Sequence, residues 1–432
     1  MSFAATVRGG RGRTVLVVGA GVAGAAAALA AARSGASVTV LDGGTGASTL
    51  ATGALDLGPW EHAASSDTSL HEEARTALDT LGGYAIPSRG SLLLTTAGLV
   101  RRARGHDAAL LDVAPTRGGR VAVVRCPRAG WDADGLARAW GERFFPLDAA
   151  VLRTTDERVV PDADLAERHD DEARRDWLAA RLREALARSE GSWAAIVLPP
   201  LLGIDRARAE ELTQRVGAPC GEAMGLPGGP SGLRFERASR RAYAGAGIAH
   251  VVARATRVAR AEGHFIVQTE EEGAFEAQAV VLAAGGLLGG GLEYAPSDSE
   301  LATALPAAAR LAFRLTIDAP ATVGASRRPL EIPGSLFGVP PESLADRAGA
   351  TSLLDHTGIL TRGDGTVLSD MPDEGVPGLF AAGEIVADAP RFWLSALSSG
   401  TIAGVSAARF VASGSATPFH HFERGGLDAG GV

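Results

Sequence analysis

The stretch Thr14–Asp42, TVLVVGAGVAGAAAALAAARSGASVTVLD, leaves this chain few choices of fold. Val15–Val18 is an all-apolar run, suited to a parallel strand buried on both faces. Gly19, Gly21 and Gly24 follow with the spacing G-x-G-x-x-G. Glycine at 19 permits a tight turn, at 21 lets a pyrophosphate approach the backbone, and at 24 lets a helix pack close on the strand. The helix is mostly alanine, the strongest helix former. Its first turn, Val22-Ala23-Gly24, offers free N–H groups and the positive end of a dipole to phosphate. Gly35 ends the helix, and Ser37–Leu41 is the second strand. Asp42 closes that strand 18 residues after Gly24, where a carboxylate can accept a hydrogen bond from a ribose hydroxyl. The fingerprint alone is weak; strand, helix, second strand and acid together make it specific.

A rival reading starts from the same residues. Val15–Ala32 runs 18 residues without a charge behind Arg8, Arg11 and Arg13, as in a signal peptide or membrane helix. The glycines in its first half and the second strand after it favour the nucleotide unit, a cytoplasmic protein and no transmembrane helix. All 42 basic residues are arginine, and asparagine is absent too. A P-loop lysine, a Schiff-base lysine and N-glycosylation are therefore excluded, and any phosphate-binding cation must be arginine or histidine. A net charge of −8 gives no reason to expect a nucleic-acid partner. Cys126 and Cys220 are too far apart for a C-x-x-C pair, a cluster or a cysteine zinc site. His420-His421 has no third ligand nearby, so no metal is expected.

The remaining chain reads as one nucleotide domain in three parts, 13–80, 226–291 and 351–415, with a cap or substrate domain inserted as 81–225 and 292–350. Residues 1–13 and the tail 416–432 are read as disordered. In the first part, GGTGASTLATGALDLGPW after Asp42 is too glycine-rich for a helix and too apolar for a linker. Gly43, Ser48, Thr49, Thr52 and Gly53 there offer hydroxyls and close backbone approach. Helices are expected over Leu70–Leu81, Asp134–Phe145, Asp171–Ser189, Leu233–Gly245 and Leu397–Ala412. Strands are expected over Ser91–Thr95, Arg120–Arg125 and Ala194–Pro199, with Ile248–Val258 and Phe265–Thr269 forming a small hairpin layer that includes Val258. Gln278–Gly286, QAVVLAAGG, is a strand returning to the central sheet and ending at Ala284 and Gly285. Gly378–Glu384, GLFAAGE, is a further strand that brings Gly383 and Glu384 to the same edge. Ser398-Ser399-Gly400 is taken to open the last helix and aim its dipole at the ligand.

GAGVAG, VVLAAGG at 280–286 and GLFAAGE at 378–384, in that order, resemble the flavoprotein superfamily of succinate dehydrogenase, fumarate reductase and aspartate oxidase. A narrower resemblance rests on ATGALDL (51–57), AIVLPPLLGID (195–205) and APCGEAMGLPGGPSGLRF (218–235). These are similar to the B-type flavin subunit of anaerobic glycerol-3-phosphate dehydrogenase, and the match spans most of the chain. The resemblance implies an α/β fold: a two-dinucleotide-binding-type FAD (Rossmann-like) domain with a parallel central sheet, plus an inserted α+β cap domain. It implies oxidation of sn-glycerol 3-phosphate to dihydroxyacetone phosphate, with hydride passed to flavin and electrons on to quinone. It further implies a homologous flavin subunit and an iron–sulfur subunit that anchors the complex peripherally at the inner membrane. FMN is the usual assignment for the B-type chain, whereas Asp42 and the complete fingerprint argue for FAD. The asparagine-containing loop of fumarate reductases is replaced here by Leu394–Gly400. A stand-alone FAD-dependent oxidoreductase of the fumarate reductase or ketosteroid dehydrogenase type is the alternative, as is an electron-relay subunit without turnover.

Such a reaction needs a base for the hydroxyl proton and cations for the phosphate. His356, just before the last flavin segment, is the candidate base. Arg391 is a candidate catalytic residue beside the flavin loop, and Arg327 with Arg328 in the cap are candidate phosphate ligands. Against each stands the plain reading of a solvated surface residue. Trp60 and Trp393 are read as core.

Overall fold

The computed structural model describes residues 13–56, 70, 72–116, 118–270, 273–294, 313–324, 357–369 and 374–414. The arm before Arg13, the tail 416–432, most of 292–350, Trp60, Arg327, Arg328 and His356 lie outside the described residues.

Strand β1 (Thr14–Val18) pairs in parallel with β2 (Ser37–Asp42) on one side and with Ala279–Leu282 on the other. Ala249–Val252 adds in parallel beyond β2, and Gly375–Ala381 beyond Ala279–Leu282. Thr366–Leu368 closes the far edge antiparallel, completing a six-stranded sheet. Side chains alternate between its faces. Val15, Val17, Val38, Val40 and Val281 point to a helical layer, while Leu16, Val18, Leu41, Val280 and Leu282 point to an antiparallel β-layer. That layer is Ala255–Ala261, His264–Thr269 and Ala274–Ala277.

In the helical layer, α1 (Val22–Arg33) is buried over nearly its whole length, which its alanines permit. Its neighbour is the C-terminal helix Trp393–Ser413. A Cβ added at Gly400 would lie 2.1 Å from the Ala23 carbonyl oxygen, and one at Gly404 would lie 2.2 Å from that of Ala27. The two helices therefore touch backbone to backbone. Trp393, half-buried, packs against Tyr84 and Phe235 at the edge of this core.

Among the element boundaries that differ from the sequence reading, three bear on the architecture. The C-terminal helix begins at Trp393, so Ser398-Ser399-Gly400 lies in its second turn and does not open it. Ile248–Val258 is two strands: Ala249–Val252 extends the central sheet, and the chain then crosses its carboxyl edge, with the Ala253 N–H donating to the Asp42 carbonyl, before the β-layer starts at Ala255. Asp134–Phe145 holds a shorter helix, Ala133–Trp140, capped by the Asp132 carboxylate on the Gly135 N–H. Gly141, at φ +117°, ends that helix, and Phe144–Leu147 is a strand.

The inserted unit is more regular than a mixture of strands and helices. Its strands Cys220–Glu222, Ala195–Leu198, Val121–Val124 and Phe144–Leu147 lie side by side in that order, all parallel. Its core draws only on residues between Leu94 and Ala223. Arg234, on the helix Pro230–Gly245, ties this unit to the elements around the six-stranded sheet. Its Nε donates to Asp107 Oδ2 at 2.6 Å, its Nη2 to Glu222 Oε2 at 2.7 Å and its Nη1 to the Gly203 carbonyl at 2.6 Å.

Two measurements follow from buried groups in this unit. Burial pushes the thiols of Cys126 and Cys220 up to about 12. At pH 8 only about one thiol in 10,000 is then the reactive thiolate. Both cysteines should resist alkylation in the native protein and react on unfolding, which intact-mass analysis reads directly. His169 is fully buried, its Nδ1–H donating to the Leu165 carbonyl at 2.9 Å and its Nε2 accepting from Arg174 Nε at 3.4 Å. Burial above all, and the Arg174 charge, hold its pKa at about 4, below the ordinary 6.5. Between those values the unfolded chain binds the extra proton, so stability falls as pH drops through the window, by up to about 3 kcal/mol. His169→Gln should flatten the urea midpoint between pH 6.5 and 4; an unchanged slope would assign the acid sensitivity to other groups.

Candidate functional site

A cleft of about 340 Å³ lies across the carboxyl ends of β1, β2, Ala249–Val252 and Ala279–Leu282. This is the point where the strand order reverses around β1, the place where open α/β sheets leave a crevice for a ligand. Several of its walls are strand ends followed by turns of small residues, and the helix Pro230–Gly245 lines another side. Gly19 sits at φ +110°, and a Cβ there would be 2.2 Å from the Ala283 carbonyl oxygen. The two turns that follow β1 and Ala279–Leu282 thus meet without side chains between them. Gly21 is the N-cap of α1 and supplies no side-chain cap. The Val22 N–H donates to Ser48 Oγ at 2.9 Å, which fastens the loop after β2 onto the helix start. A Cβ at Gly24 would fall 1.8 Å from the Gly19 carbonyl oxygen, so this glycine closes the turn from behind and does not line the cleft.

Gly19, Gly21, Val22, Ala23, Asp42, Gly43, Ser48, Thr49, Ala284, Gly285, Gly383 and Glu384 come together on the cleft walls from four separated stretches of sequence. Other residues expected there do not. Thr52 and Gly53 lie beyond the cleft, where Gly53, at φ +96°, packs under Ser231, Leu110 and Asp107. Val258 is in the core of the β-layer, with its N–H donating to the Asp318 carbonyl at 2.7 Å; Ala255 and Thr256 face the cleft in its place. Ser398 does not line the cleft, and Gly400 is spent on the contact with Ala23. Ser399 acts one step back: its Oγ accepts from the Gly383 N–H at 3.0 Å. That bond holds the Gly383 turn, at φ +78°, against the helix.

Arg391 Nη2 donates to the Thr357 carbonyl at 3.2 Å. A Cβ on Gly286 would lie 2.7 Å from Arg391 Nη1 and 3.2 Å from Glu384 Cβ. Glycine at 286 therefore leaves room for this guanidinium beside Glu384, although Arg391 itself does not line the cleft.

The far end holds residues that the sequence did not single out. Asp42 Oδ1 accepts from the Gly44 N–H at 3.0 Å, and Oδ2 is 3.0 Å from His250 Nε2. The His250 ring stacks on Tyr243, with centroids 5.7 Å apart and planes at 26°. Burial first, and the Asp42 carboxylate second, raise the Tyr243 hydroxyl pKa above its ordinary value. Arg254 also lines this end, its stem beside Gly43 and its Nη2 toward Gly290. The missed signal was the break at Ala253. With Ala249–Val252 read as a strand beside β2, His250 and Arg254 fall at the carboxyl edge.

Among the described residues no group of three or more His, Cys, Asp or Glu could hold a metal ion. No helix among them is long and apolar enough to cross a membrane.

A family model described as alanine dehydrogenase/PNT, C-terminal domain, matches residues 1–132, which include β1, α1 and β2. None of the curated proteins matches the chain. Similar solved structures include a flavocytochrome c3 fumarate reductase in its open conformation, at 14% identity, covering 93% of this chain and 78% of that one, with a TM-score of 0.35. A 3-ketosteroid Δ1-dehydrogenase from Sterolibacterium denitrificans is 13% identical, with 93% and 100% covered and a TM-score of 0.36. Mycobacterium smegmatis Sdh1 in complex with UQ1 is 15% identical, with 93% and 69% covered and a TM-score of 0.35. The architecture rests on the strand order itself: an α/β fold whose parallel central sheet carries a Rossmann-type β1–α1–β2 unit.

Proposed function

We propose that the chain is an FAD-dependent oxidoreductase, and more narrowly the flavoprotein subunit of a quinone-linked glycerol-3-phosphate dehydrogenase. One observation carries the first part: a switch-point cleft with glycine turns at 19–21, 285 and 383 and a carboxylate at its far end. The residues fit the group. A Cβ at Gly19 would collide with the opposing turn, the first turn of α1 faces the cleft, and Asp42 lines its far end as the acceptor a ribose hydroxyl needs. Because the walls continue past the glycine turns to Asp42, His250 and Thr256, the cleft favours a dinucleotide over FMN, which has no adenosine half.

When bound, FAD would supply the hydride acceptor for C2 of the substrate. The chain's own residues bind and position the reactants; the candidate base for the substrate hydroxyl proton, His356, lies outside the described residues. The start of α1 and the Gly19–Gly21 turn hold the pyrophosphate by backbone N–H groups. Glu384 accepts hydrogen bonds from the ribityl hydroxyls. Arg391, adjacent to Glu384, holds the phosphate of an anionic substrate. The glycerol 3-phosphate substrate, the partner flavin and iron–sulfur subunits and the peripheral membrane location extend this reading on the sequence resemblance.

The test is an absorption spectrum of the purified protein, mass analysis of the released cofactor and titration with glycerol 3-phosphate. Released FAD and bleaching by the substrate are the expected results. FAD that dithionite reduces but glycerol 3-phosphate does not would leave an electron-relay subunit. Turnover of another substrate without partners would indicate the stand-alone oxidoreductase. A protein that takes up no flavin on reconstitution would overturn the reading.

A further inference from the structure

We propose that His250 and Tyr243 are positioning residues for the adenosine ribose, holding Asp42 in the orientation that receives the ribose hydroxyls. The proposal rests on the FAD reading above and adds a layer behind the carboxylate that the fingerprint does not contain.

The argument starts from Asp42. A carboxylate has about four lone-pair sites. One oxygen is held by the Gly44 N–H, from its own loop, and the other by His250 Nε2, from the neighbouring strand. Held at both oxygens, the carboxylate keeps its remaining lone pairs for two ribose hydroxyls. His250 is fixed in turn. Its backbone is in register beside Val40 of β2, and its ring lies against Tyr243. Asp42, His250 and Tyr243 thus come from two neighbouring strands and the helix Pro230–Gly245.

Tyr243 is the observation that points to a ligand. It is 1% exposed and lines the cleft, yet its hydroxyl has no hydrogen-bond partner among the described residues. A buried hydroxyl without a partner is costly, and one on the wall of a ligand cleft finds its partner when the ligand arrives. Arg240 and Arg254, with Glu236 and Glu270, complete the charged surroundings of this end.

A solely structural role and a positioning role part company over two cofactors. FMN shares the flavin half of FAD and lacks the adenosine ribose. Apoprotein variants Asp42→Ala, His250→Ala, His250→Gln and Tyr243→Phe should be titrated with FAD and with FMN by flavin fluorescence. His250→Ala is expected to weaken FAD binding about 10- to 100-fold, the range for a hydrogen bond to a charged group, with FMN affinity unchanged. His250→Gln, which keeps a donor, should recover most of the loss, and Tyr243→Phe should lower FAD affinity several-fold. Equal losses for FAD and FMN would overturn the proposal in favour of general destabilisation. An Asp42→Ala variant that loses FAD selectivity while His250→Ala keeps it would overturn the proposal and leave the FAD reading standing. No change in either variant would count against the FAD reading itself.

Discussion

Arg234→Met is expected to destabilise the protein by about 3 to 5 kcal/mol, the usual cost of removing one partner from a buried ion pair. Asp107 and Glu222, each 1% exposed, would be left facing one another with no cation between them. Burial already pushes the Glu222 carboxyl upward, with Arg234 opposing that shift, so removing the arginine favours a neutral acid. The loss should therefore be largest at high pH and smaller on mild acidification. Urea unfolding of the variant at two pH values measures this. Adding Asp107→Asn and Glu222→Gln to the same chain should recover a substantial part, because no uncompensated charge then stays buried. A loss below about 1 kcal/mol would mean that water reaches the carboxylates, contrary to the geometry. Nucleotide affinity should fall with stability, since Tyr243 and Ser239 on the same helix line the cleft.

Gly404→Ala and Gly400→Ala should each lower the melting temperature and loosen cofactor binding. Two effects compete. Alanine is the better helix former by about 1 kcal/mol, which would stabilise an exposed helix. Here the new methyl would sit 2.1–2.2 Å from a backbone carbonyl oxygen that cannot rotate away. Overpacking of this kind costs about 1 to 3 kcal/mol, and relief requires the helices to separate. The steric term wins, and because the start of α1 lines the cleft, separation also shifts the Gly21–Ala23 wall. Scanning calorimetry together with the flavin-to-protein ratio tests both effects. A stabilised Gly404→Ala variant would show that α1 yields there without cost.

The central sheet was legible because its signals are local. Val15–Val18, the glycine spacing and Asp42 sit within one short stretch, and QAVVLAAGG and GLFAAGE each end a buried run in small residues. What escaped depends on contacts across the fold. Gly400 looked like a helix start because glycine favours ends, whereas it is placed mid-helix by the carbonyl of Ala23, a residue with no sequence proximity to it. Val258 carried the right pattern for the β-layer, but the chain needed Ala253 and Arg254 to cross the sheet edge first, which moved the cleft-facing residues to 255 and 256. His250 was invisible as a functional residue because its meaning lies in the register of Ala249–Val252 on β2. The inserted parallel sheet lacked a glycine fingerprint, so no short motif announced its regularity.

The backbone contact between α1 and the C-terminal helix has a consequence for synthesis on the ribosome. The first helix emerges early, but the surface that covers Ala23 and Ala27 is not translated until Gly400 and Gly404. The inserted sheet, whose core closes on itself between Leu94 and Ala223, can complete its packing in the meantime. The nascent chain therefore holds a finished middle while the alanine-rich surface of α1 waits for Gly400 and Gly404 to be made. Domains generally fold as units during synthesis, so the unit around the six-stranded sheet, begun before the inserted one, is finished after it. Chaperone dependence in this protein should trace to the N-terminal segment, and nascent chains that stop before the C-terminal helix should expose it to protease while the inserted unit resists.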